Sequence, residues 1–402
     1  MSRPRSAGRR LGFAPRLQTL ERREVPAIFV VDDTSRRGRD FDTIQAAVDA
    51  AAETDGSDTV LVYPGTYREQ VTIEGEELDG LTLRAVSKQA VITAPSKVEG
   101  DRALIEVSNA EGVLIDGFTI TGPSAELDFG VLVEEGGSAV VRDNRITDIR
   151  SEPLSGVQTG VAVWVDTGAT ATVVDNTIAR YQKAGIVALD EGTRLFAAGN
   201  KIEGAGPTDV IAQYGVQVAV GAEAVITDNR ISGNAYTGED ADAAGVIAAE
   251  AGEVTMADNR LTDNEFGVIG LDQAEPLTIT GNDIRGSAQD GISLDGTDGA
   301  LIGWNQVRDS GRDGIRLEDS SDNTVVGNRS TKSDENGLTV TGESADNRIL
   351  LNVFVGNGEL DVFDDTTGDG TAGTDNTYLL NQIGTASPDE LESGKGRGKG
   401  RG

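Results

Sequence analysis

From Phe129 to Thr341 short apolar runs alternate with polar turns at a nearly fixed spacing. One run opens on glycine and then alternates aliphatic residues: Gly130-Val131, Gly160-Val161, Gly185-Ile186, Gly215-Val216, Gly245-Val246, Gly267-Val268, Gly291-Ile292, Gly314-Ile315 and Gly337-Leu338. The residue two further on is again small or aliphatic, as in Val133, Val163, Val218, Leu294 and Leu317. Period-two alternation over four or five residues predicts a short strand with one buried face. A second short strand is predicted at Val173-Val174, Val225-Ile226, Leu277-Thr278-Ile279, Leu301-Ile302 and Thr324-Val325-Val326. Each is followed by an asparagine: Asn144, Asn176, Asn200, Asn229, Asn259, Asn282, Asn305 and Asn328 recur every 23 to 32 residues. Two positions after it stands an aliphatic residue (Ile146, Ile178, Ile202, Ile231, Leu261, Ile284, Val307), until Ser330 breaks the series. A period of this length predicts a stacked repeat. The strands are too short and too close for helices between them, so coils stacked in parallel about 4.8 Å apart are the consistent solution. The asparagine fits a tight turn, since its side chain tolerates left-handed dihedrals, and stacked amides can bond into a ladder.

The phrase Asp143-Asn144-Arg145-Ile146, with its Gly-Val strand, resembles the repeats of right-handed parallel β-helix proteins of the pectate-lyase-like superfamily. The opening agrees: Phe41-Asp42-Thr43-Ile44-Gln45-Ala46-Ala47-Val48-Asp49-Ala50-Ala51, then Asp58 to Tyr67. Ile44, Ala47, Val48 and Ala51 share one face of a helix that Asp42 or Thr43 can cap. The resemblance implies that this helix covers the open end of an all-β solenoid. Thr374 to Pro388, around Asn376-Thr377-Tyr378, resembles a common family ending. The expected organisation is therefore a basic leader over 1–39, one parallel β-helix over 40–388 and a Gly/Lys/Arg-rich tail over 389–402.

Composition narrows the chemistry. The 402 residues include no cysteine and no histidine, which excludes disulfides, thiolate or imidazole metal sites and any histidine-dependent catalysis. Oxygen-ligated Ca²⁺ is the one metal left open. A net charge of −32 argues against nucleic acid as partner and favours a soluble monomer. No stretch has the length of a membrane helix. The ends are basic: ten arginines stand before Asp40 against Glu21, Glu24, Asp32 and Asp33, and the last nine residues read GKGRGKGRG. Both ends are expected to be disordered. Arg16 to Ala27 resembles a short N-terminal motif of exported bacterial proteins, which implies a place in the envelope or outside the cell.

Candidate sites come from outward positions beside the glycine-led strand. The residues before each glycine run Phe129, Thr159, Ala184, Tyr214, Ala244, Phe266, Asp290, Asp313, Asn336. Those two after it run Leu132, Ala162, Val187, Gln217, Ile247, Ile269, Ser293, Arg316, Thr339. Both rows are apolar early and polar late. Asp290 and Asp313, stacked, would shift each other's pKa as acid–base pairs do, hold Ca²⁺, or form a solvated polar face with Asp chosen for its turn. Arg316 would clamp a uronate or, as the resemblance implies, serve as the base that some lyases of the family take from a basic residue, with Ser293 beside it. Longer coils place insertions near Arg150–Gly156, Glu203–Gln213 and Tyr236–Ala244, predicting a wall along one face. Trp164, Tyr181, Lys183, Tyr214, Gln217 and Tyr236 fall in these coils, where rings could stack on sugars or pack under the loops. The acidic loop Asp361, Asp364, Asp365, Asp369 lacks an EF-hand pattern and is expected to be solvated.

The histidine motifs of polygalacturonases, alginate epimerases and pectate lyases cannot be present, and the aspartate and glutamine motifs of pectin methylesterases are not found. The expected function is binding, with possible cleavage, of an extended polysaccharide. An enzyme would be a polysaccharide lyase or glycoside hydrolase. The alternative is a structural or adhesive envelope protein.

Overall fold

The computed structural model describes residues 26–33, 38–54 and 56–393. The exported-protein-like motif and the GKGRGKGRG tail lie outside them, apart from Pro26 and Ala27. The described chain is a parallel β-solenoid of about 13 turns, with strands in three sheets. Sheet A has 14 strands and opens at Ile28–Val31; sheets B and C have 13 each and open at Gly65–Arg68 and Val71–Glu74. Each coil visits C, A and B in turn, as in Phe129–Glu134, Ser138–Arg142 and Arg145–Thr147. Every inter-strand pairing is parallel and joins neighbouring coils, for example Val131↔Val163↔Ile186↔Val216↔Val246↔Val268 on sheet C. Alternate residues therefore fall into rows, and the inward rows form one continuous apolar core.

The repeated glycines of sheet C have a contact reason rather than a dihedral one. A Cβ at Gly185, Gly215, Gly267 or Gly291 would stand 2.3–2.6 Å from the carbonyl oxygen of the next coil. Ala162 takes this place in its own coil, in register between Gly130 and Gly185. That corrects the sequence register by two residues: Val161, not Thr159, stacks with Phe129, and Trp164, not Ala162, stacks with Leu132. Gly160 belongs instead to the preceding turn, at φ +84°.

The asparagines are buried and form the ladder. Asn176 Nδ2 donates to Asn200 Oδ1 at 3.1 Å, Asn200 to Asn229 at 3.0 Å and Asn229 to Asn259 at 3.0 Å, and the series continues to Asn352 and Asn381. The left-handed residue is the one before: Asp143, Asp175, Asp228 and Asp258 have φ of 54–56°, and Gly199, Gly281, Trp304 and Gly327 hold the same place in other coils. The asparagine is thus selected for its amide, and its predecessor supplies the dihedral. Ser330 stands inward beside Val307 with its hydroxyl buried and unpaired.

The helix spans Ile44–Ala52, with Thr43 accepting from Ala46 N–H at its start and Ile44, Ala47, Val48 and Ala51 buried in the core. The folded unit begins earlier than composition predicts: Ile28–Val31, within the expected leader, pairs with Thr59–Val62. The acidic loop is also only partly solvated. Asp361 accepts from Asn357, and Asp364 from Thr366, Asn376 and the Tyr378 hydroxyl, and both carboxylates are buried.

Candidate functional site

The outward face of sheet C carries two neighbouring rows. One runs Phe129, Val161, Ala184, Tyr214, Ala244, Phe266; the other runs Glu106, Leu132, Trp164, Val187, Gln217, Ile247, Ile269, Ser293, Arg316, Thr339. The aliphatics on this face are covered by the rings beside them. Val161, Ala184 and Val187 lie under Phe129, Trp164 and Tyr214; Ala244, Ile247 and Ile269 pack with Phe266 and Tyr214. Tyr214 joins both groups, so a continuous apolar and aromatic strip lies outside the solenoid.

Within that strip four side chains are held in two pairs on successive coils. The rings of Phe129 and Trp164 have centroids 4.9 Å apart, and Trp164 Nε1 donates to Asp166 at 2.8 Å. Lys183 Nζ sits 4.4 Å from the centre of the Tyr214 ring and donates to the Ala212 carbonyl at 3.0 Å. Burial pushes the Lys183 ammonium down and the Tyr214 phenol up, because each charged form loses water. Gln217 follows Val187 in register.

The three insertions lie between sheet B and sheet C and touch one another. Thr208 pairs with Tyr236, and Gln182 ties the first insertion down through Ser151 N–H and the Val157 carbonyl. They form a wall at the edge of sheet C where Lys183 and Tyr214 stand. The side chain of Tyr236 stays within its own loop, its hydroxyl donating to Asp240 at 2.6 Å. Tyr181 is fully buried beneath, bonded to Asn234.

At the late end the structure brings Asp290 and Asp313 onto adjacent coils, both buried. Each has one oxygen engaged by the backbone: Asp290 Oδ1 accepts from Asp313 N–H at 2.9 Å, and Asp313 Oδ1 from Asn336 N–H at 3.0 Å. Asn336 repeats the contact with Leu360 N–H. This is a carboxylate continuation of an amide-type ladder. Burial is the main cause that pushes Asp290 up to about 6. Arg316 lies 3.9 Å from Asp313 but its closer partner is Glu318, at 2.6 Å; Ser293 is in register beside it.

Sequence reasoning missed a third group. Carboxylate oxygens of Asp101, Glu106 and Glu134 lie within 4.8 Å of one another. Burial first, then Asp101, Asp166, Glu106 and Glu135, push Glu134 up to about 7. Three such oxygens could take a hard cation such as Ca²⁺, and a carboxyl of this acidity can give or take a proton near neutrality. The three residues are spread over 34 positions, so only the coil register could have gathered them.

A family model described as "Right handed beta helix region" matches residues 69–238, and one described as "Periplasmic copper-binding protein (NosD)" matches 208–379. No curated protein matches the sequence. Among solved structures the chain is similar to the periplasmic alginate epimerase AlgG at 16% identity and TM-score 0.56, covering 82% of this chain and 76% of that one. It is similar to the Dettilon tailspike protein at 14% identity and TM-score 0.54, covering 84% and 66%. It is also similar to the A-module of the Azotobacter vinelandii mannuronan C-5 epimerase AlgE4 at 14% and 0.50, covering 84% and 89%. The chain is a parallel β-helix repeat protein. Its residues do not fit copper: imidazole and thiolate are missing from the sequence, and the one thioether in the matched segment, Met256, is buried in the core.

Proposed function

We propose that this protein binds an extended polysaccharide along the outward face of sheet C, outside the cytoplasm. The observation that carries this reading is the aromatic strip, where Phe129 with Trp164 and Lys183 with Tyr214 stand on successive coils beside the insertion wall. Sugar rings stack on aromatic faces through their C–H groups, while Lys183 and Gln217 supply donors at fixed spacing. A solenoid offers these contacts in a line, which suits a linear polymer better than a small ligand. The fold likeness to epimerases of alginate and mannuronan supports the same class of partner. The likeness to the periplasmic NosD family and to the periplasmic epimerase AlgG, with the exported-protein-like motif, supports the location. No helix of the described residues is long and apolar enough to cross a membrane. We read the Ile44–Ala52 helix as the cover of a right-handed solenoid's first coil.

Catalysis, where present, is assigned to Asp290 and Asp313 with Arg316. Each aspartate keeps one oxygen free of the backbone, and burial pushes the Asp290 carboxyl up to about 6. The test is a screen of the protein on neutral and acidic polysaccharides, with and without Ca²⁺, following reducing ends and unsaturated products. Asp290→Asn/Asp313→Asn keeps the backbone contacts, as Asn336 does in the next coil. Cleavage lost in that variant supports the late site, and cleavage kept in it moves the chemistry to Glu134 and its neighbours. Binding without cleavage on any polymer leaves a binding or adhesive protein, a reading favoured by the backbone engagement of both aspartates.

A further inference from the structure

Sheet B turns a different face to solvent. Its outward rows are set by the short strands after each ladder asparagine, whose middle residue is buried. The first row runs Arg145, Thr177, Lys201, Arg230, Arg260, Asp283, Gln306, Arg329 in register from coil to coil. In a chain with 67 acidic and 35 basic residues, carboxylates are in surplus. Yet among the described residues the exposed guanidinium groups of Arg145, Arg230, Arg260 and Arg329 make no ion pair and no hydrogen bond. Arg230 and Arg260 even stack directly on adjacent coils, about 4.8 Å apart, where like charges repel.

The turn just before this row reinforces the point. In the middle coils it holds Asp228 and Asp258; in the late coils it holds Gly281, Trp304 and Gly327. Trp304 is 62% exposed and has φ +54°, a backbone conformation that a bulky aromatic residue rarely adopts. Its ring lies against Gly327 of the next coil, where a Cβ would stand 2.8 Å from it. Two residues further on is Arg329. Beside it a cleft of about 200 Å³ is lined by Gln306, Val307, Arg308, Arg329, Thr331 and Lys332. An exposed indole next to an unpaired guanidinium and a hydroxyl is a set of groups for one acidic sugar: a ring to stack, a carboxylate to grip and hydroxyls to bond.

We propose that the outward face of sheet B is a track for a single chain of a uronate-type acidic polysaccharide, anchored by Trp304 and Arg329 and continued over Arg260 and Arg230. The class of polymer rests on the polysaccharide reading above; the site is on another sheet. The guanidinium fork matches a carboxylate, and Ser232, Thr262 and Thr331 share the outward face with Arg230, Arg260 and Arg329. The row is one residue wide, with Asp228 and Asp258 along one edge and Asp263 along the other; between Arg260 and Arg329 it carries Asp283, whose charge Arg285 and Arg308 pair, and Gln306. A thin linear chain can follow it. A nucleic-acid duplex or a lipid surface is wider and would bring its phosphates over those aspartates.

The experiment is direct binding of the full chain to polygalacturonate, to the same polymer with its carboxyl groups reduced, and to a single-stranded oligonucleotide. Trp304→Gly keeps the turn, since glycine holds the same place at Gly281 and Gly327, and the arginines have no partners to lose. Trp304→Gly, Arg329→Gln and Arg230→Gln/Arg260→Gln are each expected to weaken polygalacturonate binding about tenfold. The arginine changes should leave the reduced polymer unaffected. Trp164→Ala separates the two faces. Binding that falls with Trp164→Ala and not with the sheet B variants overturns this proposal and keeps the sheet C reading. Binding that falls only with the sheet B variants supports the proposal and counts against sheet C. Absence of polygalacturonate binding, or an oligonucleotide held at least as tightly through the same arginines, overturns the assignment.

Discussion

Sheets B and C share one core and one coil register, but their outer faces have opposite chemistry. Sheet C is apolar and aromatic through its middle coils, with rings covering outward aliphatics. Sheet B is charged and hydroxylic, and its Arg145, Arg230, Arg260 and Arg329 have no partner among the described residues of a chain rich in carboxylates. The difference shows where selection for folding stops. An inward position must fill the space between coils, so it repeats. An outward position has no such duty, so its departures from the average surface mark function.

The largest effect should come from the foundation both faces share. Asn259 accepts from the backbone and side-chain amides of Asn229 and donates to the Ile226 carbonyl and to Asn282. Asn259→Ala leaves these buried groups unmatched. We expect a loss on the order of 3 kcal/mol in denaturant unfolding, with binding at both faces lowered together. Selective loss at one face would break the idea of a common frame. Next in size is Trp164→Ala, expected to weaken polysaccharide binding about 30-fold while the circular dichroism spectrum stays that of the parent. Arg230→Gln/Arg260→Gln should do the reverse for stability: melting temperature held or slightly raised, because a like-charge stack is relieved and no contact is lost. A clear fall in melting temperature would mean these arginines are structural.

The smallest effect sharpens the picture of the early coils. Glu134 has its carboxyl raised to about 7, chiefly by burial. A raised carboxyl costs stability once the pH exceeds its unfolded value, and the full cost is present above its folded value. Glu134→Gln should therefore melt higher than the parent at pH 8, with the gap closing as pH falls through 7 toward 4. A gap that is constant with pH would assign the effect to packing.

Much of the fold was legible because stacking writes itself into the sequence. The asparagines, the glycine-led strands and the buried face of Ile44–Ala52 all repeat or alternate. The errors came where one coil departs from the average. Ala162 in the glycine position hid the register of its coil, and with it the place of Trp164. The asparagine looked like the left-handed residue of the turn, although its predecessor, Asp143, Asp175, Asp228 or Asp258 in four coils, carries that dihedral. Asp361 and Asp364 looked solvated, because their partners Asn357, Asn376 and Tyr378 are set by the fold rather than by a local motif. The late aspartates and their neighbours Ser293 and Arg316 could be named from spacing. The trio of Asp101, Glu106 and Glu134, and the seat of the Trp304 ring against Gly327, two residues before Arg329, could not, since each gathers residues from different coils.

The most direct test is to titrate the full-length protein and its Trp164→Ala variant against a panel of neutral and acidic polysaccharides. The account predicts at least one polymer that the parent binds and the variant binds about 30-fold more weakly, with the fold unchanged. No binding to any polymer, or equal binding by parent and variant, would contradict it.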